Sequence, residues 1–590
     1  TLVVLALLAA FDVYRVARAV HDGTSATDAL LRADRKLLEL RLDEARRDLV
    51  EARRGFASAR DRVDAPGPLL LLARITPLVR KQVEGTEAFA GTGEALAASG
   101  VHLADTGRKV LLSTRDRRVA PGAMTSRQEL RRRLRPDVDA VERATEELAE
   151  LDGTRLLGPI GAAREDLVRH LPRARERLRD SQDGLTALAG FLGQFGARRY
   201  LFFSQNPAEP RPTGGYMGTY GVIRASRGRL SIERYEGTDK WYARHPEAAI
   251  APERAPAPFP FLSPPKPQSL ANLNAVPDWP RVARAAMAMW RRGGESPVDG
   301  VLSVSTGFLA RVLRVIGPAR VPGYGDVVTA DNVVARMDYY TERRDRRHKE
   351  FVAAVARAVL QRVVSTPASR MPQLALAVGQ AFDAREAMAW TTDRGVNAAL
   401  ADRGWDGALR PVSGDFFFDA PFSFAAKNGR GLRRTYDHRV DLAADGSARV
   451  RTKVTIENTD PPGLLNLDGL GFVTLYGPRG ARLDPSASDE PATLQPPVAG
   501  HPAAGWFRAA PPKGRTTLRV GWRVPSLLRR GADGRWVYAL RWRRVPDHGG
   551  DVVRLRVVLP GGWQWDGPAP PGRIPLDDDI DRSWVARPAA

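Results

Sequence analysis

The chain has 590 residues, of which 43% are hydrophobic and 27% are charged. That composition is typical of folded protein, and the length exceeds what a single hydrophobic core supports. The formal charge of +22 favours anionic partners, whereas the absence of cysteine excludes disulfides, zinc–thiolate sites and thiol nucleophiles. No zinc module, RNP-type aromatic motif or basic zipper occurs, so we predict no nucleic-acid partner.

The chain opens with the apolar run TLVVLALLAAF, which ends at the first charged residue, Asp12. A helix needs about twenty apolar residues to span a bilayer, and this run supplies roughly half of them. We predict a truncated transmembrane anchor over residues 1–20. The protein would then be a single-pass protein of the cell membrane with the bulk of its chain extracytoplasmic. The alternative interpretation is the start of a buried helix.

A heptad pattern follows the apolar run. One seam consists of Leu31, Leu38, Ala45, Ala52 and Ala59, and the other of Leu42, Leu49, Phe56 and Val63. The positions between them are mostly Arg, Asp and Glu, as a solvated helix face requires. The pattern stops at the sequence DAPGP, and further helical patterns continue to about residue 192. We predict a helical stalk or bundle over residues 25–195 that serves as a spacer or as a surface for envelope protein partners.

Near residue 198 the pattern changes to strands that alternate with helices. RRYLFFSQN, the two halves of TYGVIRASRGRLSIERYEG and VDGVLSV have the character of strands, and helical runs lie between and after them. This alternation predicts a mixed α/β domain over residues 198–430. From TYDHRVDLAADGSARVRTKVTIENT we predict a hairpin around an Asp-Gly turn. Together with further strand-like runs separated by Gly and Pro turns, it predicts an all-β sandwich over residues 431–590. The predicted fold class is therefore multidomain, with a helical stalk, a mixed α/β domain and a sandwich.

The stretch QNPAEPRPTGG is the first candidate site. We predict that Asn206 lies at the end of its strand, where open α/β sheets place their ligands. Glu209 and Arg211 follow in a proline-rich loop, and a guanidinium can grip phosphate oxygens in a bidentate manner. Gly214 and Gly215 allow a positive φ and close backbone approach. The alternative is a surface ion pair between Glu209 and Arg211, with Asn206 capping a turn.

The second candidate is the arginine-rich segment ERRDRRHKEF. The apolar file of the helix that follows extends backwards onto Arg343 and Arg347, and Arg346 adds charge beside them. Basic residues in a first helical turn oppose the helix dipole, which favours anions there. A bound anion would compensate these arginines, and the alternative is a solvated basic face.

Two weaker candidates complete the set. The sequence GTDKWY follows a predicted strand, where Asp239 could hold a metal ion and Lys240 a phosphate. Lys427 and Asn428 precede the sandwich and could face the α/β domain.

The stretch 199–363 resembles the bacterial family named domain of unknown function 4012 (DUF4012). The likeness rests on three blocks, YLFFSQNPAEPRPTGGYMGTYGVI, VDGVLSVSTGFLARVLRVIGPARVPGYG and DNVVARMDYYTERRDRRHKEF. The later stretches GDFFFDAPFSFAAKNGRGLRR and DGSARVRTKVTIENT are similar to that family's later portion. The family name implies no activity.

The order of features also resembles, more distantly, the LytR–CpsA–Psr family. Those proteins are membrane-anchored transferases that move glycans from polyprenyl-pyrophosphate carriers onto the cell wall with a divalent metal. The resemblance implies that Arg211, Arg343, Arg346 and Arg347 face a pyrophosphate, with Lys240 as a further phosphate ligand. Asn206 stands where that family has an acidic residue.

Metal-assisted phosphoryl transfer needs carboxylates that hold the cation. Either Glu209 or Asp239 therefore takes the place of the missing acid, or the domain binds its ligand without turnover. We accordingly predict Glu209 and Asp239 as catalytic candidates, Asp239 as a ligand of Mg²⁺ or another divalent metal, and Asn206 as a residue that orients an oxygen. The predicted partner is a polyprenyl-phosphate lipid or glycan, and the alternative function is a non-catalytic scaffold of an envelope polysaccharide system.

Overall fold

The computed structural model describes residues 2–38, 42–64, 77–112, 186–250, 268–342, 348–367, 370–423, 427, 429–463, 470–531 and 533–589, with short pieces between 132 and 184. The chain forms two compact units. The first comprises Thr1–Arg198, Ala225–Leu230 and Thr366–Leu376. The second comprises Arg199–Arg224, Ser231–Ser365 and Ala377–Ala590, so it holds most of both the predicted α/β domain and the predicted sandwich.

The helices are α1 Leu2–Leu38, α2 Leu42–Asp64, α3 Pro77–Leu112, α4 Thr238–Arg244, α5 Trp279–Arg292, α6 Thr306–Ile316, α7 Val333–Glu342, α8 His348–Ser365, α9 Met371–Asp383 and α10 Arg394–Asp402. The strands of the central region are β1 Arg198–Arg211, β2 Gly214–Ser226, β3 Arg229–Gly237, β4 Gly300–Ser305, β5 Ala319–Arg320, β6 Val327–Val328 and β7 Ala387–Thr391.

In the first unit, α2 packs against both α1 and α3. The heptad prediction is confirmed for α2, because its seam residues Ala45, Ala52 and Phe56 are completely buried and the helix ends at Asp64, where the breaker begins. Small seam residues let the helices approach closely. No helix in the described parts of the chain is long and apolar enough to cross a membrane.

In the second unit, the central sheet has the strand order β3-β2-β1-β4-β7, with β4 parallel to β1 and antiparallel to β7. The apolar side of α5 covers one face, where Leu201 and Val301 pack with Trp290. The other face packs on α8 through Phe202 and Ala353. A parallel strand pair must be covered on both faces, and the two helices supply that cover.

The sandwich strands are β8 Asp415–Ser423, β9 Leu432–Leu442, β10 Ala448–Asn458, β11 Leu470–Tyr476, β12 Arg482–Leu483, β13 Thr493–Val498, β14 His501–Ala509, β15 Arg515–Val524, β16 Arg529–Arg530, β17 Trp536–Arg543, β18 Val552–Val558, β19 Trp563–Trp565, β20 Ile574–Pro575 and β21 Ile580–Pro588. One sheet has the order β12-β15-β10-β9-β18-β20. The other has the order β13-β14-β11-β8-β17-β21-β19, with β16 paired to β17.

The hairpin of β9 and β10 illustrates why these residues form a sandwich. Buried and exposed residues alternate along β10, so that one side of the strand faces the core. The connecting turn uses Gly446 at φ +83°, and Ser447 N donates to Asp445 Oδ1 at 2.9 Å. The predicted Asp-Gly hairpin is therefore confirmed.

Strand β8 lies inside the range predicted for the α/β domain, yet it is an inner strand of the sandwich. It pairs with β11 on one side and with β17 on the other, and all of its residues are buried. Phe417 belongs to the sandwich core, whereas Phe416 and Phe418 belong to the core beneath the central sheet. The sandwich therefore begins at β8 rather than at residue 431, because this run is apolar on both faces.

Two aspartates of β8 bind across the sandwich core to β9. Asp415 Oδ2 lies 2.9 Å from His438 Nε2 and accepts from Tyr538 Oη at 2.7 Å. Asp419 Oδ2 lies 3.1 Å from Arg434 Nε, with both side chains about 1% exposed. Burial raises the pKa of Asp419, and the Arg434 guanidinium opposes that effect. These pairs hold the two sheets in register.

We predict that Arg434→Met destabilises the protein by about 3–5 kcal/mol, because it leaves the Asp419 carboxylate buried without its cation. Denaturant unfolding measures the loss, and Arg434→Met combined with Asp419→Asn should recover part of it. The control is Arg451→Met, which removes an exposed arginine paired with Asp441 and should cost about 1 kcal/mol or less. Equal losses in Arg434→Met and Arg451→Met would contradict the prediction.

Candidate functional site

The stretch QNPAEPRPTGG forms the end of β1 and the start of β2. The parallel pairing of β1 with β4 stops at Gln205, opposite Ser305, but β1 continues to Arg211. Asn206 therefore lies inside the strand, and the prediction that it ends the strand is wrong. Prolines lack an N–H donor, so this segment suits a strand that has already lost one of its neighbours.

A buried polar network closes the hairpin. Gln205 Oε1 accepts from Gly215 N at 2.9 Å and from Thr213 Oγ1 at 3.1 Å, and Asn274 Nδ2 donates to Gly215 O at 2.8 Å. Gly214 adopts φ +134°, and a Cβ on Gly215 would lie 2.1 Å from the Asn206 carbonyl oxygen. The glycine pair thus supplies the positive φ and the close approach that its sequence predicts.

Arg211 is buried, with 4% of its surface exposed. Its NH1 donates to Ser423 O at 2.9 Å and to Pro210 O at 3.0 Å, and its guanidinium carbon lies 3.9 Å from the centre of the Phe422 ring. Burial lowers the pKa of Arg211 to about 10, so the side chain stays cationic at neutral pH. The structure thus places Arg211 as a link between β1 and β8.

Three of the predicted site residues influence the pKa of one tyrosine, Tyr216. Burial raises the pKa of Tyr216, and the negative charges of Glu209 and Asp239 raise it further, whereas Arg211 lowers it. The Arg211 guanidinium carbon lies 5.3 Å from the centre of the Tyr216 ring. The charges of Glu209, Arg211 and Asp239 therefore all act on Tyr216, and their predicted ligand and catalytic roles stay predictions.

The remaining predicted residues lie in different settings. Asp239 and Lys240 are exposed in the first turn of α4, directly after β3, as predicted. Asn206 Oδ1 accepts from Ala208 N at 3.1 Å, which is the local turn contact given as the alternative role. The three arginines of the second candidate site, Arg343, Arg346 and Arg347, lie outside the described residues, as does Asn428. Their ligand roles stay predictions.

A divalent metal would need several oxygen ligands that converge on one point. Within the described ranges, no three acidic or histidine side chains are placed to hold one ion. Asp239 is exposed, and Glu209 Oε1 lies 3.6 Å from Nζ of Lys427. The described residues alone do not fit a metal centre, so no chemical step is assigned to a metal.

A second group of charged residues lies at the carboxyl end of β4. Helix α6 starts there at Thr306, and Ser305 N donates to Glu386 O at 2.8 Å. Arg311 donates two hydrogen bonds to Glu386, from Nε to Oε2 at 2.5 Å and from Nη2 to Oε1 at 2.9 Å. A Cβ on Gly307 would lie 2.1 Å from Asp547 Oδ1 and 3.0 Å from Glu386 Cδ, so both carboxyl groups pack on the first turn of α6.

Arg430 joins this group to α7. Its Nε donates to Asp338 Oδ2 at 2.8 Å, and its NH2 donates to Thr306 Oγ1, also at 2.8 Å. Burial raises the pKa of Asp338, while Arg430 and then Lys427 lower it. Lys427 in turn pairs with Glu209, which confirms that Lys427 faces the α/β domain.

We call this assembly the strand-end cluster. It consists of Glu209, Thr306, Arg311, Asp338, Glu386, Lys427, Arg430 and Asp547. Its members come from β1, α6 and α7 of the α/β region and from loops beside β7, β8 and β17. The cluster occupies the carboxyl end of the parallel strand pair, the edge at which open α/β sheets bind ligands.

Sequence reasoning identified Glu209 and Lys427 but missed the other members of the cluster. Thr306, Arg311 and Asp338 stand within the sequence blocks that carry the family resemblance, so that likeness was an available signal. Glu386 and Asp547 lie outside those sequence blocks, and no local sequence pattern identifies them as site residues. Only the fold brings these two carboxyl groups to one helix end.

Asp547 is the most perturbed acid of the cluster. Burial raises its pKa to about 6, and the nearby Glu386 carboxylate adds to the rise. The Ser305 hydroxyl and Arg430 act in the opposite direction. Asp547 also adopts φ +58°, a conformation that Asn and Asp tolerate better than most residues. The folded chain thus binds a proton at this carboxyl more tightly than the unfolded chain does.

We predict that Asp547→Asn stabilises the protein increasingly as the pH rises from about 4 to about 6. The folded state binds this proton more tightly than the unfolded chain does, so the stability contributed by the protonated carboxyl is lost across that window. The variant does not titrate at this position, so it avoids a loss of about 3 kcal/mol.

Denaturant midpoints measured between pH 4 and 7 check this prediction. Asp402→Asn, which changes an exposed aspartate at the end of α10, is the control and should follow the wild type at every pH. A stability difference between Asp547→Asn and wild type that stays constant with pH would contradict the assignment.

Comparisons with known proteins bear on the central region. Residues 196–340 match the family described as "Protein of unknown function (DUF4012)", which confirms that resemblance over this segment. No curated protein matches the chain. A solved M1 zinc metallopeptidase from Deinococcus radiodurans is similar at 12% identity and a TM-score of 0.15, over 27% of this chain and 42% of that one. A score this low carries no argument, and the LytR–CpsA–Psr likeness stays a prediction.

Proposed function

Because residues 196–340 match the DUF4012 family, whose description names no activity, we propose a function from the geometry of the strand-end cluster. The protein is a membrane-anchored, extracytoplasmic protein of the cell envelope. Its α/β region binds a polyprenyl-pyrophosphate-linked glycan or a similar phosphorylated ligand at the strand-end cluster.

One observation carries this proposal. Arg430 donates to Thr306, the first residue of α6, and Arg311 of the same helix pairs with the Glu386 carboxylate that packs on its first turn. Lys427 adds a third cation to the cluster through its pair with Glu209. Guanidinium groups and the N-terminal end of a helix both favour phosphate oxygens. Two such arginines at one helix end therefore suit a ligand that carries two linked phosphates.

Transfer of the glycan to a cell-wall acceptor is the further step that the distant resemblance implies. Such a step needs a group that exchanges a proton near neutral pH. Asp547 is the described carboxyl best suited to that role, because its pKa of about 6 is closer to neutral pH than the pKa of an ordinary carboxyl group. It replaces Glu209 as our preferred acid–base candidate, since Glu209 has Lys427 beside it.

A non-catalytic scaffold or binding protein of an envelope polysaccharide system is the second candidate function. It is favoured by the observation that each cation of the cluster already has a carboxylate partner: Arg311 has Glu386, Lys427 has Glu209 and Arg430 has Asp338. Under this alternative the pairs made by Lys427 and Arg430 join the α/β region to the segment after β8, and phosphates gain no specific site.

We predict that the protein binds farnesyl pyrophosphate, a soluble polyprenyl pyrophosphate, more tightly than farnesyl monophosphate. Arg430→Gln should weaken pyrophosphate binding about tenfold or more, which corresponds to at least about 1.4 kcal/mol. Isothermal titration calorimetry with and without Mg²⁺ measures the affinity.

The matched control is Arg451→Gln, which also removes an arginine paired with an aspartate but lies on β10. It should leave the affinity unchanged. No binding of farnesyl pyrophosphate, or equal affinity in Arg430→Gln and wild type, would favour the scaffold. An equal loss in both variants that grows with salt would indicate diffuse electrostatic attraction.

A further inference from the structure

Five aromatic side chains share one face of the larger sandwich sheet near its edge strand β19. They are Trp536 and Tyr538 of β17, Trp563 and Trp565 of β19, and Trp584 of β21. Pairing fixes this arrangement, because Tyr538 lies opposite Trp584, and Ala586 of β21 lies opposite both Trp536 and Trp565. Residues opposite one another, and residues two apart on a strand, point to the same side of a sheet.

The five side chains differ in their burial. Trp536 and Tyr538 are buried in the sandwich core, whereas Trp563, Trp565 and Trp584 are half-buried against it. Trp563 stacks on Trp536 with ring centres 3.8 Å apart and planes 5° apart. Trp584 stacks on Tyr538 with centres 5.8 Å apart and planes 28° apart. We call the three half-buried residues the tryptophan face, which is a rigid aromatic surface backed by the core.

The indole N–H groups of the tryptophan face are available to donate hydrogen bonds to a polar ligand. None of the three donates to an acceptor in the described part of the chain, and none is among its buried unpartnered atoms, so these donors reach solvent. Other tryptophans of the chain do use this group. Trp506 Nε1 donates to Asp489 O at 2.8 Å, and Trp405 Nε1 donates to Asp383 Oδ1 at 2.7 Å.

An exposed arginine extends this face along β21. Arg582 lies two residues before Trp584, opposite Leu540, and so shares its side of the sheet. Its guanidinium forms no ion pair with any described residue. Asp566, which follows Trp565, pairs with Arg535 at 2.8 Å and with Arg587 at 3.5 Å. The surface therefore offers aromatic faces and hydrogen-bond donors beside charges that already balance one another.

We propose that the tryptophan face, together with Arg582, binds a neutral glycan chain. An aromatic ring carries negative potential on its face and so attracts the weakly positive C–H groups of a sugar ring. The indole N–H groups and the guanidinium donate to sugar hydroxyl oxygens. The site is separate from the strand-end cluster and does not depend on the function proposed for that cluster.

A lipid surface fits these observations less well. Interfacial binding requires apolar side chains that insert about 5–10 Å into the headgroup region. The residues of the tryptophan face instead pack against the sandwich core, where Trp563 and Trp584 stack on buried rings.

Native affinity electrophoresis of the full chain, run towards the cathode because the pI is about 10.7, tests the proposal. The gels contain dextran, mannan or galactan as neutral glycans, or hyaluronate as an anionic one. At least one neutral glycan should retard the wild type, whereas retardation by hyaluronate, which the net charge of the chain causes by itself, should be the same in the wild type and the tryptophan variants. Trp565→Ala and Trp584→Ala should each weaken the retardation about fivefold or more, and Trp565→Phe, which keeps a ring but loses the N–H donor, should have an intermediate effect.

Trp405→Ala is the matched control, since it removes a partly exposed tryptophan whose N–H group already has a partner, and it should be retarded like the wild type. Denaturant midpoints identify any variant that fails to fold. If the alanine variants fail to fold, Trp565→Phe still tests the proposal. Unchanged farnesyl pyrophosphate binding in the tryptophan variants separates this site from the strand-end cluster.

The proposal is overturned if no neutral glycan retards the wild type, or if Trp565→Ala and Trp584→Ala are retarded as strongly as Trp405→Ala. Cosedimentation with vesicles of phosphatidylcholine and phosphatidylglycerol provides the remaining comparison. Vesicle binding that the tryptophan variants lose, without glycan binding, would assign the face to a membrane surface and would also overturn the proposal.

Discussion

The second unit depends on the burial of β8 on both of its faces. Phe417 fills the sandwich core, while Phe416 and Phe418 on either side of it fill the core beneath the central sheet. Each core therefore lacks part of its apolar surface unless the other is formed. The α/β region and the sandwich behave as one compact unit because they share this strand, and a change in β8 should affect both.

Buried arginines strengthen the same junction. Arg211 donates to Ser423 O, Arg543 to Gly407 O and Arg544 to Ala384 O. Burial lowers the pKa of Arg543 to about 9, so it keeps its charge at neutral pH and satisfies carbonyl groups that water cannot reach. Some of the arginines that make the chain basic are therefore buried and stabilise the packing. The net charge of the chain is for this reason weaker evidence for an anionic partner than it is by itself.

The strand-end cluster exists because of this junction. The α/β region contributes Glu209 and Asp338, and their partners Lys427 and Arg430 follow β8. Asp547 reaches the first turn of α6 from the loop after β17. A site assembled from both regions can form only after the two regions have packed together, so the stability of β8 and the geometry of the cluster are coupled. The tryptophan face is different, because it is built from neighbouring strands of one sheet.

Local pattern was sufficient for much of the fold. The heptad seam predicts the buried residues of α2, the Asp-Gly turn predicts the hairpin of β9 and β10, and the glycine pair predicts the tight hairpin after β1. Each of these features arises from residues close together in the chain, where propensity and periodicity act directly. The same reasoning failed at β8 and at Asn206. A run that is apolar on both faces does not show which core it joins, and strand length depends on the neighbouring strands.

The sequence by itself determined many of the elements and singled out Glu209 and Arg211 beside the glycine pair, because these features lie close together in the chain. The tertiary structure decided what those residues contact. It turned Arg211 inward onto Ser423 and Phe422, and it placed Lys427 beside Glu209. It also set Asp547 against α6, more than two hundred residues away in the chain. Contacts over such distances arise from the packing of complete layers, and no local pattern of residues encodes them.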